Sequence, residues 1–374
     1  MKRIAIALLS ALAVSGCSTP PDAINLDALN VSGRTQIGEE LIVKQQSLGT
    51  KMYGVEMHTY QWPGVYIEGR FKGESVTVKL NDSANILNII VDDRAPIILN
   101  RPGLISHRID GLGQGEHTIR LEKRTETQGT TGTFWGFSLP DGGKPLPAPL
   151  PRARQIEFIG DSDMVGYGNT STKRDCTKSE VFETTDSQQA YPAQVARTYN
   201  ADFQLNAYSG IGIVRNYDGM EPDRPMPVLY PRVLFNDPTP YDRKGWTPQV
   251  IVVALGGNDF STPLKPGEKW KDVAALRTDW ETTFVKFLSD IRAQNPDAFL
   301  IMGALETFNA DYLAATKSVL AARKVAGDAR IDLVTYPQLE LTACDWHPSL
   351  NDHKTMKNIV EAFIDQQPDI WQGK

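Results

Sequence analysis

The feature that most constrains the fold is a change of period across one proline-dense stretch, PDGGKPLPAPLPRA, with Pro140, Pro145, Pro147, Pro149 and Pro151. Proline has a fixed φ and no N–H to donate, so such a stretch reads as a semi-extended connector at 140–153 that belongs to no regular element. Before it the chain alternates in short runs, such as Val65–Glu68, Val76–Leu80, Ile86–Val91, Ile119–Leu121 and Thr133–Leu139. Turn residues separate them at Gly73, Asn81-Asp82, Asp92-Asp93 and Gly113 to Gly115. Short strands with turns between them predict a β-sandwich over 33–139, jelly-roll-like in kind. After the connector, apolar β-prone runs alternate with helical patterns. The strands are predicted at 155–159, 203–206, 250–255, 299–303 and 331–334. The clearest helix covers 272–294, where Leu276, Trp280, Phe284, Leu288 and Ile291 fall on one face, and a last helix covers 354–366. This is the pattern of a doubly wound, three-layer α/β domain over 154–374.

The first residues concern destination. Lys2 and Arg3 precede an apolar segment, Ile4 to Val14, far short of the ~20 residues that span a bilayer, so residues 1–17 read as a signal peptide. The sequence Val14-Ser15-Gly16-Cys17 resembles a bacterial lipobox, which implies a lipidated Cys17 as the mature N-terminus. Ser18 after it points to the outer membrane, facing the periplasm or the cell surface. Residues 18–32, aperiodic and rich in Pro, Asp and Asn, read as a tether. Membrane contact is expected only through that anchor, and the chain is expected to be a monomer. Cys176 and Cys344 remain as two thiols in an oxidising compartment; they are read as a disulfide, with two buried free thiols as the alternative. A net charge of −6 without basic runs gives no footprint for nucleic acid.

The chemistry lies in blocks at predicted strand ends. Gly160-Asp161-Ser162 stops the first strand of the α/β half, and Asn206 to Gly210 ends the second. Gly256-Gly257-Asn258-Asp259 ends the third, and Cys344-Asp345-Trp346-His347-Pro348 lies beyond the fifth. All fall on one rim of the sheet, where open α/β sheets place ligands. Ester hydrolysis needs a nucleophile, a base and donors aimed at the tetrahedral oxyanion, and these blocks supply a serine, a histidine, a glycine N–H and an asparagine amide. Met164 stands where an α/β-hydrolase elbow needs glycine, so a flatter turn is implied. No metal motif occurs, and neither metal nor cofactor is expected.

In order and type these blocks resemble the Ser, Gly, Asn and His blocks of the SGNH (GDSL) hydrolase superfamily. WPGVYIEGRF and GEHTIRLEKRTE before the proline-rich join, then IEFIGDSDMVGYGN, SGIGIVRNYDG, GGND and CDWHPS, are similar to carbohydrate esterase family 2 over nearly the whole mature chain. That resemblance implies an acetyl esterase acting on O-acetylated plant polysaccharides such as xylan and glucomannan. It implies Ser162 as nucleophile, His347 as base, and Gly210 and Asn258 beside the Ser162 amide in the oxyanion hole. One departure stands out: the superfamily has aspartate three residues before the histidine, where this chain has Cys344. Asp345, two before, is expected to orient His347, with a backbone carbonyl as the alternative. Trp346 and Tyr167 are candidates to stack on sugar rings. Asp161 and Asp259 are expected to brace their turns, His58, His107 and His117 to be packing or surface residues, and His353 to begin the last helix. Competing functions are a lipase, lysophospholipase or thioesterase of the same superfamily, and a carbohydrate-binding lipoprotein without activity.

Overall fold

The structure, a computed structural model, describes residues 29–46, 49–243 and 245–372. The signal peptide, Cys17 and most of the tether lie outside the described residues.

Among the described residues, antiparallel strands form the N-terminal sandwich: β1 (Leu29–Ser32), β2 (Thr35–Gln46), β3 (Gly49–Tyr60), β4 (Tyr66–Lys72), β5 (Val76–Asp82), β6 (Ile86–Val91), β7 (Ile97–Asn100), β8 (Gly103–Ile109), β9 (Glu116–Lys123) and β10 (Gly132–Ser138), joined by the short β11 (Lys144–Pro145). One sheet has the order β1-β4-β9-β6-β7 and the other β2-β3-β10-β5-β8; β2–β3 and β6–β7 are hairpins within one sheet, and the other connections cross between the two. Alternation drives this: along β5, Val76, Val78 and Leu80 are buried while Thr77 and Lys79 face outward. The inward residues meet Phe71, Leu87, Ile89, Ile119, Phe134 and Phe137 in one core.

Two expectations are corrected here. The tether does not extend to 32, because Leu29–Ser32 is an edge strand paired with β4. Its buried positions are polar: Asn30 donates to Glu68 at 3.0 Å and Ser32 to the carbonyl of Phe203 at 2.6 Å, so it has no apolar period to read. Nor is the connector free of regular structure. β11 (Lys144–Pro145) pairs with β4 on the same sheet edge, where a missing proline N–H costs no ladder bond. Arg152 then anchors the connector, with contacts to Glu68 at 3.0 Å and Asp202 at 2.6 Å.

The second half carries β12 (Arg154–Gly160), β13 (Ala201–Ala207), a short hairpin of β14 (Arg232–Leu234) and β15 (Asp237–Pro240), β16 (Val250–Ala254), β17 (Phe299–Leu305) and β18 (Ile331–Tyr336). The main sheet is parallel, in the order β13-β12-β16-β17-β18. Helices cover both faces: α1 (Ser162–Val165), α3 (Tyr191–Thr198) and α8 (Leu350–Asp365) pack on one, α6 (Val273–Gln294) and α7 (Ala310–Val325) on the other. The short α2 (Lys178–Thr184), α4 (Met226–Leu229) and α5 (Gly257–Phe260) lie in the connections. Val250 and Val252 join one core, Ile251 and Val253 the other, which is why the strand reads as an unbroken apolar run. α8 begins four residues before the expected Lys354, because Ser349 and Asp352 form a capping box at its start.

The strand order reverses between β12 and β16. At such a switch point the connections leave in opposite directions and open a crevice at the carboxyl ends of the strands. Ser162 follows β12 and Asn258 follows β16, so the fold puts both at the crevice.

Candidate active site

Ser162 opens α1. Asp161 caps that helix by accepting the Asp163 N–H at 3.2 Å, and Gly166, with φ 75°, ends it after one turn. As the first helical residue Ser162 has no intrahelical acceptor for its own N–H, which is left as a donor. The turn is helical and flat, as Met164 implied. It sits so close to β16 that a Cβ at Gly160 would lie 2.4 Å from the Met164 sulfur and 2.9 Å from the Ala254 carbonyl.

His347 follows a one-turn 3-10 helix, Cys344–Trp346, in which Asp345 and Trp346 both have left-handed backbone, φ 51° and 58°. Its Nε2 lies 2.9 Å from Ser162 Oγ. Its Nδ1 lies 3.0 Å from the carbonyl oxygen of Cys344 and 3.2 Å from that of Asp345. Carbonyls only accept, so Nδ1 carries the proton and Nε2 is free to accept the Ser162 hydroxyl.

The expectation that the Asp345 carboxylate orients His347 is therefore corrected. Two-residue spacing combined with left-handed backbone turns the Asp345 carbonyl, not its side chain, toward the ring. The carboxylate points away and accepts a hydrogen bond from the Tyr167 hydroxyl at 3.0 Å. Tyr167, the other residue expected to stack on sugar, is half-buried. Its ring packs on that of His347 with centroids 4.3 Å apart, and burial, then Asp345, pushes its phenol well above the usual range. Trp346, by contrast, is 60% exposed at the mouth of the site.

Asn258 lies in α5, behind Gly256 at φ 107°, and its Nδ2 donates to the Ile211 carbonyl at 2.9 Å and to Asp161 at 3.2 Å. Gly210, at φ 81°, ends the β13 block, and its N–H meets no acceptor among the described residues. The loop after Gly210 is held by Asp259, which accepts the N–H groups of Ile213, Val214 and Arg215 at 2.8 to 2.9 Å. Burial pushes the Asp259 carboxyl up to about 6 against those three donors. Asp161 is pushed well above its usual range, first by burial and then by Asp163. Both aspartates thus brace backbone, as expected. His353 is fully buried, its Nδ1 accepting the Tyr191 N–H at 3.3 Å, and burial lowers it to about 3.

Several residues that frame the site carried no signal in the sequence. Glu126, from the loop after β9, accepts the Ser209 N–H at 2.7 Å, and Gln128 donates to the Ser209 carbonyl at 3.1 Å, so the sandwich supports the Gly210 block from behind. Arg174 accepts the Asp345 N–H on its carbonyl at 2.7 Å and donates to the Leu341 and Glu340 carbonyls. Cys176 and Cys344, by contrast read as a disulfide from the sequence, are bonded with Cα atoms 5.4 Å apart, which ties the segment after α1 to the turn that bears His347. Gly168 lets those segments touch: a Cβ there would fall 2.5 Å from that of Cys344. Replacing both cysteines by alanine is expected to cost about 2–4 kcal/mol in urea unfolding, the usual value for opening a long loop. A loss below about 0.5 kcal/mol would show that the packing at Gly168 holds the turn without the bond.

A hydroxyl poised to lose its proton to an oriented imidazole, with amide donors nearby, can attack an ester carbonyl and stabilise the oxyanion that results. On this α/β sheet that chemistry makes the protein a serine-type carboxylic ester hydrolase. Residues 53–149 match the model described as carbohydrate esterase 2 N-terminal, and residues 158–353 that of the GDSL-like lipase/acylhydrolase family. An acetylxylan esterase/glucomannan deacetylase of Cellvibrio japonicus (strain Ueda107) is 44% identical over 314 residues, 84% of this chain and 87% of that protein. A solved carbohydrate esterase, whose active site is described as having divergent catalytic and non-catalytic binding functions, superposes with a TM-score of 0.83. It is 40% identical and the match covers 93% of this chain and 99% of the other. A family two carbohydrate esterase from Clostridium thermocellum, solved with cellohexaose, superposes with a TM-score of 0.75 at 28% identity, covering 91% and 99%. The chain belongs to carbohydrate esterase family 2.

Proposed function

We propose that the protein removes O-acetyl groups from plant polysaccharides of the xylan and glucomannan type through an acyl-enzyme, with Ser162 as nucleophile and His347 as base. The observation that carries this is the 2.9 Å contact between Ser162 Oγ and His347 Nε2, in a ring whose Nδ1 is held by backbone carbonyls. His347 takes the Ser162 proton as Oγ attacks the acetyl carbon, then returns it to the departing sugar hydroxyl. Water repeats the sequence on the acetyl-enzyme and frees acetate. The Ser162 and Gly210 N–H groups and the Asn258 amide are the donors for the oxyanion; Asn258 would exchange its longer bond, to Asp161, for that charge. Trp346, exposed at the mouth, is a stacking surface for a sugar ring.

The base in this reading belongs to a dyad. Asp345→Asn keeps the backbone carbonyls on Nδ1, so kcat on an acetyl ester is expected to fall roughly tenfold or less, through altered local electrostatics. His347→Ala measured beside it sets the scale. A loss in Asp345→Asn approaching that of His347→Ala would restore the carboxylate as the orienting acid.

The leader before the described residues supports export, with lipid attached at Cys17 and an outer-membrane location, and the chain acts as a monomer. Labelling with a radioactive fatty acid that Cys17→Ser abolishes tests the anchor. The test of the activity is acetate release from acetylated xylan and glucomannan. Absence of acetate from both, with a folded enzyme, would remove the proposal.

A further inference from the structure

Ser162 is followed by a second acid, Asp163, and both side chains open into one cavity of about 290 Å³. Its mouth is formed by Tyr217, Phe308 and Trp346, which are 45 to 60% exposed. Its inner end is closed by Tyr312, Tyr336 and Met356, which are nearly inaccessible. The Asp163 carboxylate accepts no hydrogen bond from, and forms no ion pair with, any described residue, although its backbone N–H is bound by Asp161. The Tyr336 hydroxyl, paired with that of Tyr191, lines the same cavity. The inner chamber is thus roomy and polar on one wall.

An ester bound at Ser162 has two directions to fill. A polysaccharide cannot pass the closed inner end, so the alcohol side lies along the mouth and the acyl chain points into the chamber. Its volume alone would admit a chain several carbons longer than acetyl. Each added methylene would have to displace water from an acid with no protein partner, which offsets the gain from leaving water. We infer that Asp163 is a specificity-determining residue that limits the acyl group to acetyl by keeping the chamber beside Ser162 polar. Burial pushes the Asp163 carboxyl up while His347 opposes this; even when neutral it keeps its need for hydrogen-bonding partners.

This inference rests on the esterase reading, and its test separates the two. The measurement is kcat/KM of the full chain on 4-nitrophenyl acetate, butanoate and hexanoate. The wild type is expected to fall steeply from acetate to hexanoate. An apolar wall is worth about fourfold per buried methylene, so Asp163→Leu is expected to raise the hexanoate-to-acetate ratio at least about tenfold. Asp163→Asn, polar and close in shape, is expected to move it less than about threefold. If Asp163→Leu does not fold, Asp163→Ala takes its place, with a rise in the same direction. A wild type that cleaves hexanoate as well as acetate, or a folded Leu or Ala variant with an unchanged ratio, overturns the inference and leaves the esterase standing. A wild type that cleaves none of the three esters removes both.

Discussion

Ser162→Ala is expected to lower kcat on an acetyl ester on the order of 10⁵-fold, and His347→Ala to lower it by a similar factor. The double variant is expected to lose little more than either single one. The reason is the single proton path: Oγ becomes a nucleophile only as Nε2, 2.9 Å away, accepts its proton, so removing either partner removes the same step. Residual turnover in all three would come from the oxyanion donors and from binding. Both side chains are small enough to truncate without disturbing the sheet, and Ser162 stands in a one-turn helix capped by Asp161, so urea midpoints should stay near that of the wild type. Steady-state kinetics on the three proteins decides the matter. Losses that multiply in the double variant would mean that the two residues act in separate steps, and the dyad would not stand.

Glu157→Ala is expected to destabilise the protein by about 3–5 kcal/mol, the cost of leaving a buried charge without its partner. Glu157 lies in β12, the strand that delivers Ser162, and its side chain has no solvent exposure. It takes hydrogen bonds from Asn206 at 2.7 Å and Tyr230 at 2.8 Å, and ion pairs with Arg243 at 3.1 Å and Arg34 at 3.2 Å. Arg34 comes from the sandwich, is 1% exposed, lies over the rings of Tyr230, Tyr241 and Trp62, and also donates to the Tyr230 carbonyl. Removing the carboxylate strands that guanidinium between the domains. Burial pushes the Glu157 carboxyl up, but Arg243 and Arg34 outweigh it and hold it below its usual range. A carboxylate depressed in the folded state lends stability that is present above its unfolded value, about 4.5, and is lost as pH falls below it. The gap between wild type and Glu157→Ala in urea midpoint should therefore narrow on acidification below that value. A change under about 1 kcal/mol at neutral pH would show that water or relaxation reaches Arg34, and that the pair does not weld the two halves.

Much of the fold was legible because each half has one dominant period. Alternation in runs such as Val76–Leu80 places a strand with one buried face, and unbroken apolar runs such as Val250–Leu255 place a strand buried on both. Four chemical blocks at strand ends were equally legible, since the carboxyl ends of parallel strands share one rim. Elements that bury polar rather than apolar groups were not. β1 reads as tether because Asn30 and Ser32 face a polar network, and Pro145 reads as linker although a sheet edge accepts it.

By itself the sequence determined two halves of different architecture, an α/β rim carrying a serine, a glycine, an asparagine and a histidine, and a pair of cysteines able to join. Only the tertiary structure decided which group holds the base. Spacing gives the reach of Asp345, but the left-handed backbone at Asp345 and Trp346, fixed by the Arg174 carbonyl and the disulfide, decides that carbonyls face Nδ1. It also decided that Tyr167 packs its ring on His347, and that the sandwich, through Glu126 and Gln128, supports the Gly210 block. These depend on contacts between residues far apart in the chain, and local pattern fixes which residues can meet only when they lie within one turn or one strand of each other.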